Sequence, residues 1–294
     1  MDKIALITGC NRGIGKATME LFIQNGISVI ACTRILSDSL TVYYKSLEEK
    51  YNVKIYPIKC DLSDEDSIKT AMKEVYALKI PIDILVNNAG IAKFSSLLMT
   101  RLEEVRKMFQ VNYFASLLVT QYIVKLMSRR KAGAIVNLAS IAGIDSTVGN
   151  CGYGASKAAM ILSTKVLARE LSVYNIRVNA VAPGFIDTDI QSGIDRQLAD
   201  NIINNLSIRR LGTPEEVAKA GGVSTQKTGI TGTQALKTSR WWFQWMAAMV
   251  TMIGASAFNS QCVAYFTDLT GDKASAALVY SGALGTMILG KFLL

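Results

Sequence analysis

Histidine is absent from all 294 residues. That excludes Ser-His-Asp and Cys-His nucleophile systems, and with them every histidine-ligated metal site, so no metal is expected. Cysteine is sparse: Cys10, Cys32, Cys60, Cys151 and Cys262 are scattered, with no C-x-x-C pair and no disulfide-like rhythm. Such thiols read as reduced intracellular residues whose role is mostly burial. Internal repeats and low-complexity tracts are missing as well. No leader is expected either, because a strand-like run begins at Ile4, and with it a cytoplasmic catalytic domain is expected. Acidic residues are the deficient charge, 23 against 32 lysines and arginines, giving a net charge of +9. After Trp241 two lysines and two aspartates cancel, so the whole excess lies before it. A basic surface suits anionic partners such as phosphates, acidic carrier proteins, nucleic acid or lipid head groups, or serves solubility alone.

What is present is core material. The chain is 50% hydrophobic, and at this length that supports one large domain plus an appendage. Short β-branched runs recur at residues 4–7, 28–31, 55–58, 84–86, 134–138 and 178–181. Between them, residues 15–24, 65–77, 102–129 and 155–174 carry apolar side chains at three- and four-residue spacing. Strands alternating with helices imply βαβ units, hence an α/β domain of Rossmann-like, doubly wound parallel-sheet type with helices on both faces. Ligands of such sheets lie at the carboxyl ends of the strands.

After the first strand stands Thr8-Gly9-Cys10-Asn11-Arg12-Gly13-Ile14-Gly15, leading into a helix. Glycines there permit a tight turn, close approach of a phosphate and helix-on-strand packing, while free helix amides face a pyrophosphate. The spacing G-x-x-x-G-x-G differs from the usual G-x-G-x-x-G. The second strand ends Ala31-Cys32-Thr33-Arg34, without the carboxylate that would bind ribose hydroxyls. Arg12 and Arg34 together could hold a 2′-phosphate through charge-assisted hydrogen bonds, which favours NADP over NAD.

Tyr153 and Lys157 are four residues apart at the start of a helical stretch and share a face. A neighbouring ammonium favours phenolate, so the expectation is a tyrosine with a lowered pKa. Ser140, at the end of the fifth strand-like run, supplies a hydroxyl for a substrate oxygen. Asn112, inside the long helical stretch, is expected to anchor a water or a lysine contact. Each alone has an ordinary structural reading; their order behind a nucleotide loop gives them meaning.

The sequence resembles the short-chain dehydrogenase/reductase family over residues 1–237. The matching pieces are Thr8 to Gly15, Asp61-Leu62, Asn87-Asn88-Ala89-Gly90, Asn112, Ser140, Tyr153-x-x-x-Lys157, Pro183-Gly184, and Ile186 with Thr188. The resemblance implies NADPH-dependent reduction of a carbonyl. Tyr153 would donate the proton, Ser140 orient the carbonyl, Lys157 bind ribose hydroxyls and tune the tyrosine, and Asn112 complete a proton relay. Gly9, Asn11, Arg12, Gly13, Ile14 and Gly15 would hold phosphates. Asp61, Leu62, Asn88, Ala89 and Gly90 would surround the adenosine half, and Pro183, Gly184, Ile186 and Thr188 the nicotinamide half. Arg209-Arg210-Leu211-Gly212-Thr213-Pro214-Glu215-Glu216-Val217-Ala218 looks most like 3-oxoacyl-acyl-carrier-protein reductases. The expected substrate is therefore a small-molecule or carrier-bound ketone, not nucleic acid. Arg129, Arg130 and Lys131 form a basic patch that an acidic carrier could use or that favours a helix C-terminus. An alcohol dehydrogenase of another substrate class and an inactive dinucleotide-binding module are the alternatives.

The resemblance ends near Lys237, where the helix and strand that close the family's sheet and build its oligomer interface should follow. Residues 241–267 and 274–290 instead carry no charge, each long enough to span a bilayer, and resemble a fragment of a major-facilitator transporter. Lys237 and Arg240 on one flank and Lys291 on the other suit a hairpin with both ends cytoplasmic. Residues 238–294 thus read as a membrane hairpin, a soluble apolar extension, or a shifted reading frame. The third reading arises because codons for Asp-Gly-Gly-Phe, read one base out of register, yield the Arg-Trp-Trp-Phe that begins at Arg240.

Overall fold

The computed structural model describes residues 3–145, 148–188 and 209–225. Six strands form one sheet: β1 (Ile4–Thr8), β2 (Ser28–Thr33), β3 (Ile55–Lys59), β4 (Ile84–Asn87), β5 (Gly133–Leu138) and β6 (Ile176–Val181). Their order is β3-β2-β1-β4-β5-β6, every neighbouring pair parallel. β1 is buried along its whole length, as a central parallel strand covered on both faces must be. Its side chains alternate between two cores. Ile4 and Leu6 enter one with Ile68, Met72, Leu85, Val119 and Ile123. Ala5 and Ile7 enter the other with Phe22, Ile23, Val86, Val136 and Val217.

The helices are α1 (Gly13–Gln24), α2 (Asp38–Tyr51), α3 (Glu65–Ala77), α4 (Leu102–Phe109), α5 (Ala115–Arg130), α6 (Cys151–Glu170) and α7 (Pro214–Thr225). The doubly wound parallel sheet expected from the sequence is the architecture of the described residues. Three differences are informative. The stretch read as one helix over 102–129 is α4 and α5 joined by a π turn, Gln110–Phe114, which contains Asn112. The helix expected over 155–174 starts earlier and stops at Glu170, followed by a 3₁₀ turn, Ser172–Tyr174, and a left-handed Asn175. Helix α2, capped by Ser37 through the amide of Leu40, was not anticipated. The uncharged stretches 241–267 and 274–290 lie outside the described residues. Among the described residues, no helix is long and apolar enough to cross a membrane.

The chain leaves β1 toward β2 and β3 on one side, then returns to place β4 on β1's other edge. Loops leaving β1 and β4 therefore diverge at their carboxyl ends, and the crevice between them is where this topology binds ligands.

Candidate active site

A cleft of about 510 Å³ opens at that crevice. Gly9, Asn11, Arg12, Gly13, Ile14 and Gly15 form its floor, Arg34, Asp61 and Leu62 one end, and Ser140, Tyr153 and Lys157 the other. Asn88, Ala89, Gly90, Pro183, Gly184, Ile186 and Thr188 complete its walls. Of the expected catalytic and cofactor-binding residues, Asn112 alone is not among those lining it.

The glycine loop is shaped by backbone geometry. Gly9 has φ +76, a left-handed conformation costly for any residue with a Cβ. At Gly15 the constraint is space: a Cβ would lie 2.1 Å from the Gly9 carbonyl oxygen and 2.4 Å from Asn88 Nδ2. Helix α1 starts at Gly13, so its first-turn amides, which lack intrahelical acceptors, stand where Gly13, Ile14 and Gly15 line the cleft. A cradle closed to side chains and rimmed by amides fits a dinucleotide pyrophosphate. Arg34 follows β2 directly and is exposed, on the same rim as Arg12.

Several polar side chains are committed to holding this cradle. Thr8 Oγ1 accepts from the amides of Asn88 (3.0 Å) and Ala89 (3.1 Å), and Asn88 Nδ2 donates to the Thr8 carbonyl (2.9 Å). The loop after β4 is thereby sewn to the end of β1. Asp61 accepts from the Ser63 amide (2.9 Å) and hydroxyl (2.7 Å), which hold its carboxyl below the usual range. Lys107 of α4 also lines the cleft; nothing in its sequence context singled it out.

At the far end the Ser140 turn lies against helix α6. A Cβ on Gly143 would stand 2.7 Å from both the Ala158 amide nitrogen and the Lys157 carbonyl carbon. One on Gly154 would stand 2.7 Å from the Ala142 carbonyl oxygen. These two glycines, which sequence reading passed over, let strand end and helix meet closely enough for Ser140 to hydrogen-bond the Tyr153 phenol. Ser140 Oγ accepts from the Ala142 amide (3.2 Å), which leaves its own proton for the phenol. Phe94 meets the Tyr153 ring edge-on, centroids 6.0 Å apart.

The protonation state corrects the sequence expectation. Burial pushes the Tyr153 phenol above its ordinary pKa, and the Ser140 hydrogen bond opposes this only in part. The reason is where Lys157 points: its Nζ donates to the Leu138 carbonyl (2.6 Å) and stands 5.9 Å from the tyrosine ring centroid. The lysine is itself buried, and desolvation pulls it from 10.5 to about 8.

The Asn112 side chain is held by three hydrogen bonds. Its Oδ1 accepts from the Ile91 amide (2.8 Å), and its Nδ2 donates to the Ile91 carbonyl (2.9 Å) and Ser156 Oγ (3.0 Å). Both amide protons are thereby used, while Oδ1 keeps a second lone pair. The asparagine braces the loop after β4 against α6 from within the π turn, a geometry often found at functional sites. Of the basic patch, Arg130 is engaged by Asp83 (2.8 Å), and Lys131 is the left-handed residue that ends α5.

Comparisons with known proteins agree with this geometry. The sequence model of the family described as "short chain dehydrogenase" matches residues 3–199. A 3-oxoacyl-[acyl-carrier-protein] reductase of Thermotoga maritima is 40% identical over 217 residues, covering 74% of this chain and 87% of the relative. Among solved structures, an NAD⁺-bound xylitol dehydrogenase superposes with a TM-score of 0.70 at 26% identity, covering 76% of this chain and 92% of its own. An NAD(P)-dependent gluconate 5-dehydrogenase from Beutenbergia cavernae, described with bound NADP, gives 0.69 at 27%, covering 76% and 88%.

Proposed function

Because the chain belongs to the short-chain dehydrogenase family, and is therefore an oxidoreductase of CH–OH and ketone groups, we propose that it reduces a ketone with NADPH, a 3-oxoacyl thioester being the favoured substrate. One observation carries this reading: the hydrogen-bonded Ser140–Tyr153 pair opens on the same cleft as the glycine loop and the two arginines.

Bound in the cleft, NADPH supplies the hydride that reduces the carbonyl carbon. Tyr153 gives its phenolic proton to the carbonyl oxygen, and Ser140 turns its single hydroxyl proton from the phenol to that same oxygen when substrate is bound. A raised pKa suits this direction, because an acid must be protonated before it can donate. Lys157 holds the ribose hydroxyls beside Tyr153, and its positive charge stabilises the phenolate left behind. Asn112 acts by bracing. Gly9, Asn11, Gly13, Ile14 and Gly15 hold the pyrophosphate, Asp61, Leu62, Asn88, Ala89 and Gly90 the adenosine, and Pro183, Gly184, Ile186 and Thr188 the nicotinamide half. The Thermotoga relative's printed name supports the thioester substrate. A panel of acetoacetyl thioester, simple ketones and secondary alcohols, read by NADPH oxidation or NADP⁺ reduction, tests it. Turnover confined to alcohols of another class would favour the dehydrogenase alternative, and cofactor binding without turnover the inactive module.

NADPH preference rests on Arg12 and Arg34. Charge-assisted hydrogen bonds contribute about 1.5–3 kcal/mol each. Arg34→Asp should therefore raise the KM for NADPH about tenfold or more and lower that for NADH, giving an aspartate to the ribose hydroxyls. Steady-state kinetics with both cofactors measure it; a wild type that binds NADH as tightly as NADPH defeats the assignment.

A second reading concerns residues 238–294, on the strength of their two uncharged stretches. As a hairpin they would tether the enzyme to a bilayer, and removing all residues after Lys237 should release it from membranes. A full-length chain that stays in solution without detergent rules this out.

A further inference from the structure

We propose that the Arg210–Glu216 pair is a clasp that positions the nicotinamide-side wall of the cleft, making Glu216 a positioning residue for cofactor binding. The inference rests on the reading of the cleft as a nicotinamide cofactor site. Glu216 Oε1 accepts from Arg210 Nη2 (2.6 Å), and Oε2 accepts from both Arg210 Nη1 (3.0 Å) and the Thr213 amide (2.8 Å). Thr213 Oγ1 in turn accepts from the Glu216 amide (3.3 Å). This reciprocal pair is a capping box at the start of α7, with Pro214 as the first helical residue. The added arginine fork converts an ordinary helix cap into a brace on the segment before it.

That segment touches the site. The Gly212 amide donates to the Phe185 carbonyl (2.9 Å), and the Asp187 amide donates to the Gly212 carbonyl (2.9 Å), pairing Gly212 with Ile186 in a parallel bridge. The approach is close: a Cβ on Gly212 would lie 2.6 Å from Ile186 Cδ1, so the isoleucine would have to move. The bridge fixes Ile186 through Thr188, and Thr188 reaches the glycine loop, its Cγ2 standing 3.4 Å from where a Cβ on Gly13 would be. Pro214, held between the clasp and the helix, lines the cleft directly. Behind it α7 is anchored by buried Val217 and Ala218, so the clasp is mounted on a fixed base. Both charged side chains of the pair are about half exposed. Such a pair contributes little to global stability, and its bidentate geometry instead sets the path of the chain.

The test uses the full-length chain and Glu216→Gln, Arg210→Gln and the double variant, with NADPH as probe. Each single variant is expected to raise the KM and the dissociation constant for NADPH about tenfold, with kcat at saturating cofactor within about twofold of wild type and the melting temperature within about 4 °C. The double variant should be no worse than either single, since both remove one interaction. Unchanged NADPH binding in both singles, additive losses, or a fall in kcat at constant KM would overturn the clasp while leaving the oxidoreductase reading intact. A wild-type protein that binds neither NADPH nor NADH would sink that reading and the clasp with it.

Discussion

Tyr153→Phe should lower kcat for ketone reduction about a thousand-fold, within the range for loss of a general acid, while the dissociation constant for NADPH stays within about twofold. The substitution removes one oxygen and little else. The ring remains, with its edge-on contact to Phe94, and the glycine cradle at the other end of the cleft is untouched. What disappears is the proton donor and the partner of Ser140. Because burial holds the phenol above its ordinary pKa, it carries its proton at neutral pH. Comparing single-turnover rates with equilibrium binding separates the two effects; an unaltered rate would remove Tyr153 from the chemistry.

Lys157→Met should cost activity on a similar scale, about a hundred- to ten-thousand-fold, without destabilising the fold at neutral pH. The lysine's folded pKa of about 8 lies below its ordinary 10.5, so its charge is a burden on the native state. The shift corresponds to about 3 kcal/mol. Its sign follows from proton counts: between the two values the unfolded chain holds a proton that the native protein lacks, so wild-type stability rises with pH across that window. Below about pH 8 both states are protonated and the whole penalty is present. Loss of the bond to Leu138 O returns about 1–3 kcal/mol of cost. The variant should therefore equal or exceed the wild type in stability at pH 7, and lose ground to it as pH rises from 8 to 10.5. Denaturant unfolding over that range measures the difference; a variant much less stable at pH 7 would show that the ammonium is not a burden.

How much of this was legible in the sequence depends on whether a residue's role is set locally or by its surroundings. Gly9 and Gly15 could be read in advance because turn and helix-start geometry is local, and Arg34 because it closes a recognisable strand. The alternation of apolar runs sufficed for the parallel sheet. Helix α2 carries a legible stripe, Leu40, Tyr43, Tyr44, Leu47 and Tyr51 at three- and four-residue spacing, which packs on the core, although Tyr44 is its one fully buried residue. Asn112 stands in the neighbourhood its motif implies, but its partners depend on the π turn that brings it against Ile91 and Ser156, which helical spacing does not show. The tyrosine's pKa went the opposite way to expectation because spacing on a helix says nothing about which acceptor Lys157 Nζ will choose. Gly143 and Gly154 were invisible for a similar reason: their value lies in a contact between a strand end and a helix that only the fold creates. The Arg210–Glu216 clasp sits in a motif that reads in the sequence only as a likeness, because its purpose depends on the bridge between Gly212 and Ile186.

The most direct measurement is the fate of the transferred hydrogen. NADPH carrying deuterium at the transferable position of its dihydronicotinamide should, with acetoacetyl thioester and the wild-type protein, yield a 3-hydroxyacyl product bearing deuterium on the carbinol carbon, one equivalent per NADPH consumed. NADPH that binds yet delivers no label to this or any other ketone would contradict carbonyl reduction at the Tyr153 site.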